Sequence, residues 1–200
     1  ELGVLIAVVE KQTTDKLVKE HLDELAFLAQ TLDIKVRQTF VQKTEHPDKR
    51  TYIRSGKLAE IQSFVKMENI DIIIFDDELS PSQLRNIENA IKIKVYDRSL
   101  LILDIFLRRA RTAQAKIQVE LARFQYLLPR LTRMWTHLER QRGGRGTRGG
   151  AGEKEIETDK RMVRDRITIL KKQLNKVELQ ASTRRKARNG IVRITLVGYT

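Results

Sequence analysis

The chain has 200 residues, a formal net charge of +13 and no cysteine. This length is enough for one large or two modest domains with a substantial core. The lack of cysteine excludes disulfides and thiolate metal sites and is typical of a reducing compartment. The three histidines are not at ligand spacing, and the most apolar run, residues 100–107, is too short to span a bilayer. We therefore expect a cytoplasmic protein with no metal site and no membrane span.

The positive charge lies in one half of the chain. Residues 1–99 carry 15 Lys/Arg and 17 Asp/Glu, a net of −2, whereas residues 100–200 carry 24 and 9, a net of +15. Such asymmetry predicts a nucleic-acid or membrane face on the second half only. No signal-like segment opens the chain and there is no initiator methionine. We expect a fragment, or the ordered part, of a longer protein.

The first hundred residues alternate between strand and helix patterns. Short apolar or alternating runs predict strands at 4–9, 34–41, 71–75 and 93–96, and helical spacing predicts helices at 15–31, 55–66 and 81–90. The helix at Pro81 has a strong start, with Ser80 as N-cap and Gln83 closing a capping box. This alternation predicts a small parallel α/β sheet with four strands.

From about Ser99 the pattern becomes a sustained heptad seam. Its apolar positions run to Leu128 and predict one helix about 45 Å long, which Pro129 ends or kinks. A second seam lies within residues 153–188 and stops at Asn189-Gly190. Two such seams joined by a loop predict an antiparallel helical hairpin, with Phe124 in its core. Residues 191–198 then start a new strand.

An arginine- and glycine-rich segment lies between the two seams. Residues 143–152 hold six of the ten glycines, and six arginines lie between 130 and 150. Arginine offers a planar fork that matches phosphate, so we predict RNA binding at this segment; a solvated linker is the alternative. Trp135 and His137 have no seam partner and contact either RNA or local structure. The predicted RNA-binding residues are Arg130, Arg133, Trp135, His137, Arg140, Arg142, Arg145 and Arg148.

Three further groups have weaker signals. The helix surface beside the first seam is under-neutralised, which favours phosphate contact over ordinary solvation; its cations are Arg108, Arg109, Arg111, Lys116 and Arg123. Ser55-Gly56-Lys57, at a helix start, predicts a serine cap with a solvated lysine, or alternatively an anion site. Asp76-Asp77-Glu78 follow a buried strand and predict turn and helix-dipole roles, or alternatively a metal site. No nucleophile with a base is recognisable, so we predict no catalytic residue.

Several stretches resemble the HflX family of ribosome-binding GTPases. They are FDDELSPSQLRNIE (75–88), VYDRSLLILDIFLRRARTAQAKIQVELA (95–122), LPRLTRMWTHLERQRGGRGTRGGAGEKEIETDKR (128–161) and ITLVGYT (194–200). The resemblance implies an α/β domain at 1–98, a helical hairpin at 99–189 with a tip loop at about 130–152, and the first strand of a truncated Ras-like G domain at 190–200. The fold class is therefore α/β followed by an α-helical hairpin.

The resemblance also implies a function. The parent protein would be a monomeric, GTP-dependent and Mg²⁺-dependent hydrolase that binds the large ribosomal subunit and its rRNA and splits or recycles ribosomes, in stress among other settings. Gly198, Tyr199 and Thr200 would begin its GTP-binding P-loop, so the fragment alone would be inactive and hold no cofactor. Relatives often carry Gly where this chain has Arg54. That departure weakens the alternative of an ATP-hydrolysing N-terminal domain; a protein-binding coiled-coil hairpin is the other alternative.

Overall fold

The computed structural model describes residues 1–9, 12–131 and 152–186. Its first part contains four strands, β1 (Leu2–Val9), β2 (Lys35–Lys43), β3 (Ile72–Phe75) and β4 (Lys94–Asp97). They form one sheet in the order β2-β1-β3-β4, and each neighbouring pair is parallel. The predicted four-stranded parallel sheet is confirmed.

Helices cover both faces of this sheet, because the strands alternate apolar side chains from one face to the other. Val4 and Ile6 of β1 pack with α2 (Ser55–Glu68) and α3 (Pro81–Ile91) on one face. Leu5 and Ala7 pack on the opposite face with α1 (Asp15–Gln30) and α4 (Arg98–Arg109). The unit built around the sheet therefore extends through α4.

Local signals in the sequence account for these helix ends. The capping box predicted at α3 is present: Ser80 accepts from the backbone N–H of Gln83, and the Gln83 side chain accepts from the Ser80 N–H. At α4, the buried carboxylate of Asp97 caps the helix by accepting from the N–H of Leu100 at 3.0 Å. Asp97 thus ends β4 and begins α4 with no intervening loop.

The single long helix predicted after Ser99 is wrong, because the structure breaks it at Ala110. The backbone of Ala110 is extended (ψ 117), and Thr112 starts a new helix, α5 (Ala113–Leu127), by accepting from the Ala115 N–H at 3.1 Å. The seam spacing continues across this break, which is why periodicity alone did not reveal it.

The remaining elements form a third apolar cluster. A 3-10 turn with Pro129 near its start (Leu128–Arg130) follows α5, as expected for this proline, and α6 spans Gly152–Lys186. Phe124 and Leu127 of α5 pack with Val163, Ile167 and Leu170 of α6. Leu100 joins the same cluster and connects it to the sheet unit. The predicted pairing of the two seams is present in this cluster; the antiparallel direction stays a prediction.

Candidate nucleic-acid interface

Arg130 was predicted to bind RNA, but the structure places it inside the fold. Its residue surface is only 8% exposed. Its guanidinium donates to Glu78 Oε1 at 2.9 Å and to the backbone carbonyl of Leu79 at 3.0 Å. It also lies 3.7 Å from the ring centroid of Tyr126. These contacts engage the terminal nitrogens of the guanidinium inside the fold, so Arg130 has an internal role and not the exposed RNA contact that the sequence suggests.

The other residues predicted for the interface lie outside the described residues. For RNA these are Arg133, Trp135, His137, Arg140, Arg142, Arg145 and Arg148, and for GTP they are Gly198, Tyr199 and Thr200. Their assignments stay predictions. The structure does describe Leu131, which is buried and immediately precedes the arginine- and glycine-rich segment, residues 132–151.

The cationic helix surface predicted beside the first seam is smaller than expected. Arg108 bonds to Asp33 at 2.6 Å, and Arg123 bonds to Asp104, so both are neutralised within the fold. Across the described residues, Arg109, Arg111 and Lys116 are exposed and have no ion-pair partner.

Helix α6 adds cations that the sequence analysis missed. Arg164 pairs with Glu157 and Arg166 pairs with Glu120 of α5. Four others are exposed with no ion pair inside the described ranges: Arg161, Lys171, Lys172 and Lys176. The sequence could have indicated these four cations by their helical positions, because none of them falls on the apolar seam of Val163, Ile167 and Leu170. We define the basic surface as Arg109, Arg111, Lys116, Arg161, Lys171, Lys172 and Lys176.

The aromatic residues before the segment have structural partners. Phe124 is buried in the α5–α6 cluster, which confirms its prediction as core. Tyr126 stacks under Arg130 and donates its hydroxyl to Asp97. Burial is the main reason that the pKa of Tyr126 is raised far above its usual value, so the phenol remains a proton donor.

The acidic residues that follow β3 form contacts within the fold. Asp76 pairs with Arg98 at 2.7 Å, and Glu78 pairs with Arg130. Burial raises the pKa of Asp77, while a hydrogen bond from Tyr52 opposes that shift. In the described part of the chain, no group of three or more His, Cys, Asp or Glu side chains is arranged to hold a metal ion.

The start of α2 differs from the predicted serine cap. Arg54 is the N-cap residue and makes no side-chain cap, while Ser55 is the first residue of the helix. The Arg54 guanidinium donates to Thr44 at 3.1 Å. Lys57 pairs with Glu60 at 2.7 Å and lies over the ring of Phe40, so its charge is engaged locally. The Lys57 ammonium is therefore not free to bind an anion, as the anion-site alternative requires.

No helix among the described residues is long and apolar enough to cross a bilayer.

Two family models match consecutive parts of the chain. A GTP-binding GTPase N-terminal domain matches residues 19–107, and a GTP-binding GTPase middle region matches residues 109–188. Their junction coincides with the end of α4 at Arg109. The structural break between α4 and α5 is therefore also a boundary between two family regions.

Named relatives match over nearly the whole chain. The GTPase HflX of Flavobacterium psychrophilum is 50% identical over 200 residues, which cover 100% of this chain and 48% of the relative. The GTPases HflX of Chlamydia pneumoniae and Escherichia coli are 47% and 40% identical, covering 99% and 100% of this chain and 43% and 46% of those relatives. The chain thus spans about half the length of these relatives.

Solved structures show the same fold. A GTP-binding protein from the hyperthermophilic archaeon Sulfolobus solfataricus, in complex with GDP, has a TM-score of 0.59 and 25% identity over 88% of this chain and 46% of its own. A complex of SsGBP with GDP has a TM-score of 0.63 and 26% identity, covering 90% and 45%. Together with the two family models, these matches show that the chain belongs to the HflX family and comprises its N-terminal and middle regions.

Proposed function

We propose that this chain is the ribosome-docking part of an HflX-type GTPase and that it binds RNA of the large ribosomal subunit. The observation that carries this proposal is the basic surface, whose seven cations lie on α4, α5, α6 and the connection between α4 and α5 and are exposed and unpaired among the described residues. The arginine- and glycine-rich segment adds five more arginines between α5 and α6. The family membership supports the GTPase part of the proposal.

Docking would work through phosphate contacts. Each Lys or Arg that approaches a phosphate releases condensed counterions, and this release supplies affinity without reading sequence. Arginines in the segment can also stack on exposed bases, and Trp135 would add an aromatic face for the same purpose. The near-neutral sheet unit would remain outside this electrostatic contact.

The mechanism that we propose is steric. The sheet unit and the two helices anchor a monomeric, cytoplasmic protein on the large subunit, and insertion of the segment disrupts contacts with the small subunit. GTP with Mg²⁺ would supply the switch in the remaining half of the parent protein. The 200 residues alone would hydrolyse no GTP, because Gly198, Tyr199 and Thr200 supply only the beginning of a P-loop.

The test is binding of the full 200-residue chain to purified large subunits, small subunits and free duplex RNA. One variant replaces five segment arginines with alanine: Arg133, Arg140, Arg142, Arg145 and Arg148. A matched control removes five cations of the sheet unit that are exposed and have no ion pair within the described ranges: Lys16, Lys19, Lys49, Lys66 and Arg85. Both variants lose five positive charges, so they differ only in the part of the chain from which the charges are removed.

We expect selective binding to large subunits that the segment variant loses and the control retains. Equal loss in both variants, or equal binding to every RNA, would mean that only net charge matters and would contradict docking through the segment. No binding by the parent chain would favour a protein-binding role for the helices instead.

A further inference from the structure

Three polar pairs cross the junction between the sheet unit and the elements that follow it. We call α5, the 3-10 turn and α6 the helical unit. In each pair the acid belongs to the sheet unit and the donor to the helical unit. The pairs are Asp104–Arg123, Asp97–Tyr126 and Glu78–Arg130. The two units therefore meet through polar groups of complementary charge and hydrogen-bonding character.

Apolar contact between the two units is small by comparison. Within the described ranges, Leu100 is the one buried residue that the sheet unit contributes to the apolar cluster of α5 and α6, and Tyr96 packs against that cluster while partly buried. Residues 110–112 join α4 to α5, and the backbone of Ala110 is extended. Because polar interfaces between parts of one chain commonly allow relative motion, the polar pairs decide whether these units move.

The carboxylate of Asp104 connects three elements. Its Oδ2 atom accepts from the hydroxyl of Tyr96 in β4 at 2.8 Å, and its Oδ1 atom accepts from Nε of Arg123 in α5. The side chains of Asp104 and Arg123 are only 16% and 18% exposed. Solvent screens such a pair weakly, and removal of one partner leaves an uncompensated charge in a largely buried place.

The three pairs are spread over different segments of the sheet unit. Asp97 and Asp104 lie at the start and in the middle of α4, about 10 Å apart along the helix axis. Glu78 belongs to the connection between β3 and α3. A body held at one contact can turn about it, whereas contacts on three segments oppose such rotation.

We infer that Asp104, Asp97 and Glu78 lock the helical unit onto the sheet unit, so that the two family regions move as one rigid body. Asp104 is the centre of this lock, because one carboxylate joins β4, α4 and α5. The inference rests on contacts among described residues and requires no assumption about the binding partner.

The experiment measures the distance between the two units directly. Because the chain has no cysteine, Ser63→Cys on α2 and Thr168→Cys on α6 give two unique sites for spin labels, and both positions are exposed. A reference pair, Lys19→Cys on α1 with Ser63→Cys, lies wholly within the sheet unit. The distance distribution of each pair is recorded in solution, and circular dichroism shows that each variant is folded.

Two substitutions break the central pair with little change of shape. Asp104→Asn removes the charge and keeps an acceptor for Tyr96, and Arg123→Met removes the guanidinium and keeps an apolar stem. The matched control is Arg98→Met. Arg98 is also partly buried and bonded to carboxylates, but its partners Asp76 and Glu24 both belong to the sheet unit.

We expect a narrow distribution between the two units in the parent and in Arg98→Met, and a broader one in Asp104→Asn and Arg123→Met. The double variant should be no broader than either single variant, because the two side chains act as a pair. The reference pair should stay narrow throughout. Should Asp104→Asn not fold, Arg123→Met and Tyr126→Phe, which leave the sheet unit unsubstituted, provide the same comparison.

Three results would overturn the inference. A broad distribution between the units in the parent would mean that they already move independently. An unchanged distribution in the folded variants would mean that these pairs do not hold the units together. Equal broadening of the reference pair would mean that the substitutions loosen the sheet unit itself and do not release a lock at the junction.

Discussion

Single side chains link the layers of this fold through tyrosine–carboxylate contacts. Tyr96 donates to Asp104 at 2.8 Å, Tyr126 donates to Asp97, and Tyr52 is hydrogen-bonded to Asp77. Burial is the largest cause of a raised pKa at each of the three phenols, and the neighbouring carboxylates add to it. These hydroxyls therefore remain donors throughout the neutral range.

The raised tyrosine pKa values predict a loss of stability in alkali. The folded chain keeps these protons to a higher pH than the unfolded chain, whose phenols ionise near pH 10. Their contribution is fully present below about pH 10 and is lost as the pH rises through the folded pKa values. We expect the free energy of unfolding, measured by urea denaturation, to fall steeply above about pH 10, and less steeply in Tyr96→Phe. Phenolate absorbance showing all four tyrosines ionised near pH 10 in the folded chain would contradict this.

The sequence was least informative about individual cations. It grouped Arg130 with the segment arginines because composition does not show which member folds back. Pro129 lies in the 3-10 turn that brings Arg130 over Tyr126, four residues earlier. The acceptors at Glu78 and Leu79 are about fifty residues distant. Long-range acceptors of this kind have no periodic signal. Arg108 was misjudged for the same reason, since its partner Asp33 is 75 residues away.

At the scale of elements, the predictions from periodicity were mostly confirmed. The four strands and the first three helices lie within two residues of their expected ends, because buried strands and amphipathic helices have distinct periods. The break between α4 and α5 was missed, since a seam position falls on Ala110 and the heptad spacing continues past it. The available signal was Thr112, a favourable N-cap residue inside an otherwise helical pattern.

The break predicts that Thr112 stabilises the start of α5. Thr112→Ala removes the acceptor for the Ala115 N–H and should lower the free energy of unfolding by about 1 kcal/mol. Thr168→Ala is the matched control, because Thr168 is exposed within α6 and its hydroxyl donates to the carbonyl of Arg164 in the preceding turn. Urea unfolding should show little change or slight stabilisation in the control. Equal effects of the two substitutions would argue against a capping role.

The cluster between α5 and α6 predicts that two leucines of α6 contribute very differently to the free energy of unfolding. Leu170 has no exposed surface, whereas Leu179, on the same helix, is 69% exposed. Leu170→Ala should cost about 2–5 kcal/mol of unfolding free energy through lost burial and a cavity. Leu179→Ala should change it by less than about 0.5 kcal/mol. Similar costs at both positions would mean that α6 does not pack as described.

At the scale of the whole molecule, charge and architecture divide at the same place. The sheet unit is close to neutral, with a net of −2 over residues 1–99, and five of its described cations pair with acids of the same unit. The excess of cations lies on α5, α6 and the segment between them. This division is what the sequence predicted from charge alone, and it is the reason that docking is assigned to the helices. The direction of α6 relative to α5 and the domain boundaries stay predictions.

The measurement that addresses the docking proposal most directly is the salt dependence of binding to purified large subunits. Each phosphate contact contributes roughly 0.7 to 0.9 to the slope of log affinity against log salt concentration. We expect a steep negative slope for the parent, a slope shallower by roughly 3.5 to 4.5 when the five segment arginines are replaced, and no change in the five-cation control on the sheet unit. Salt-insensitive binding, or the same change in both variants, would contradict docking on RNA through the segment.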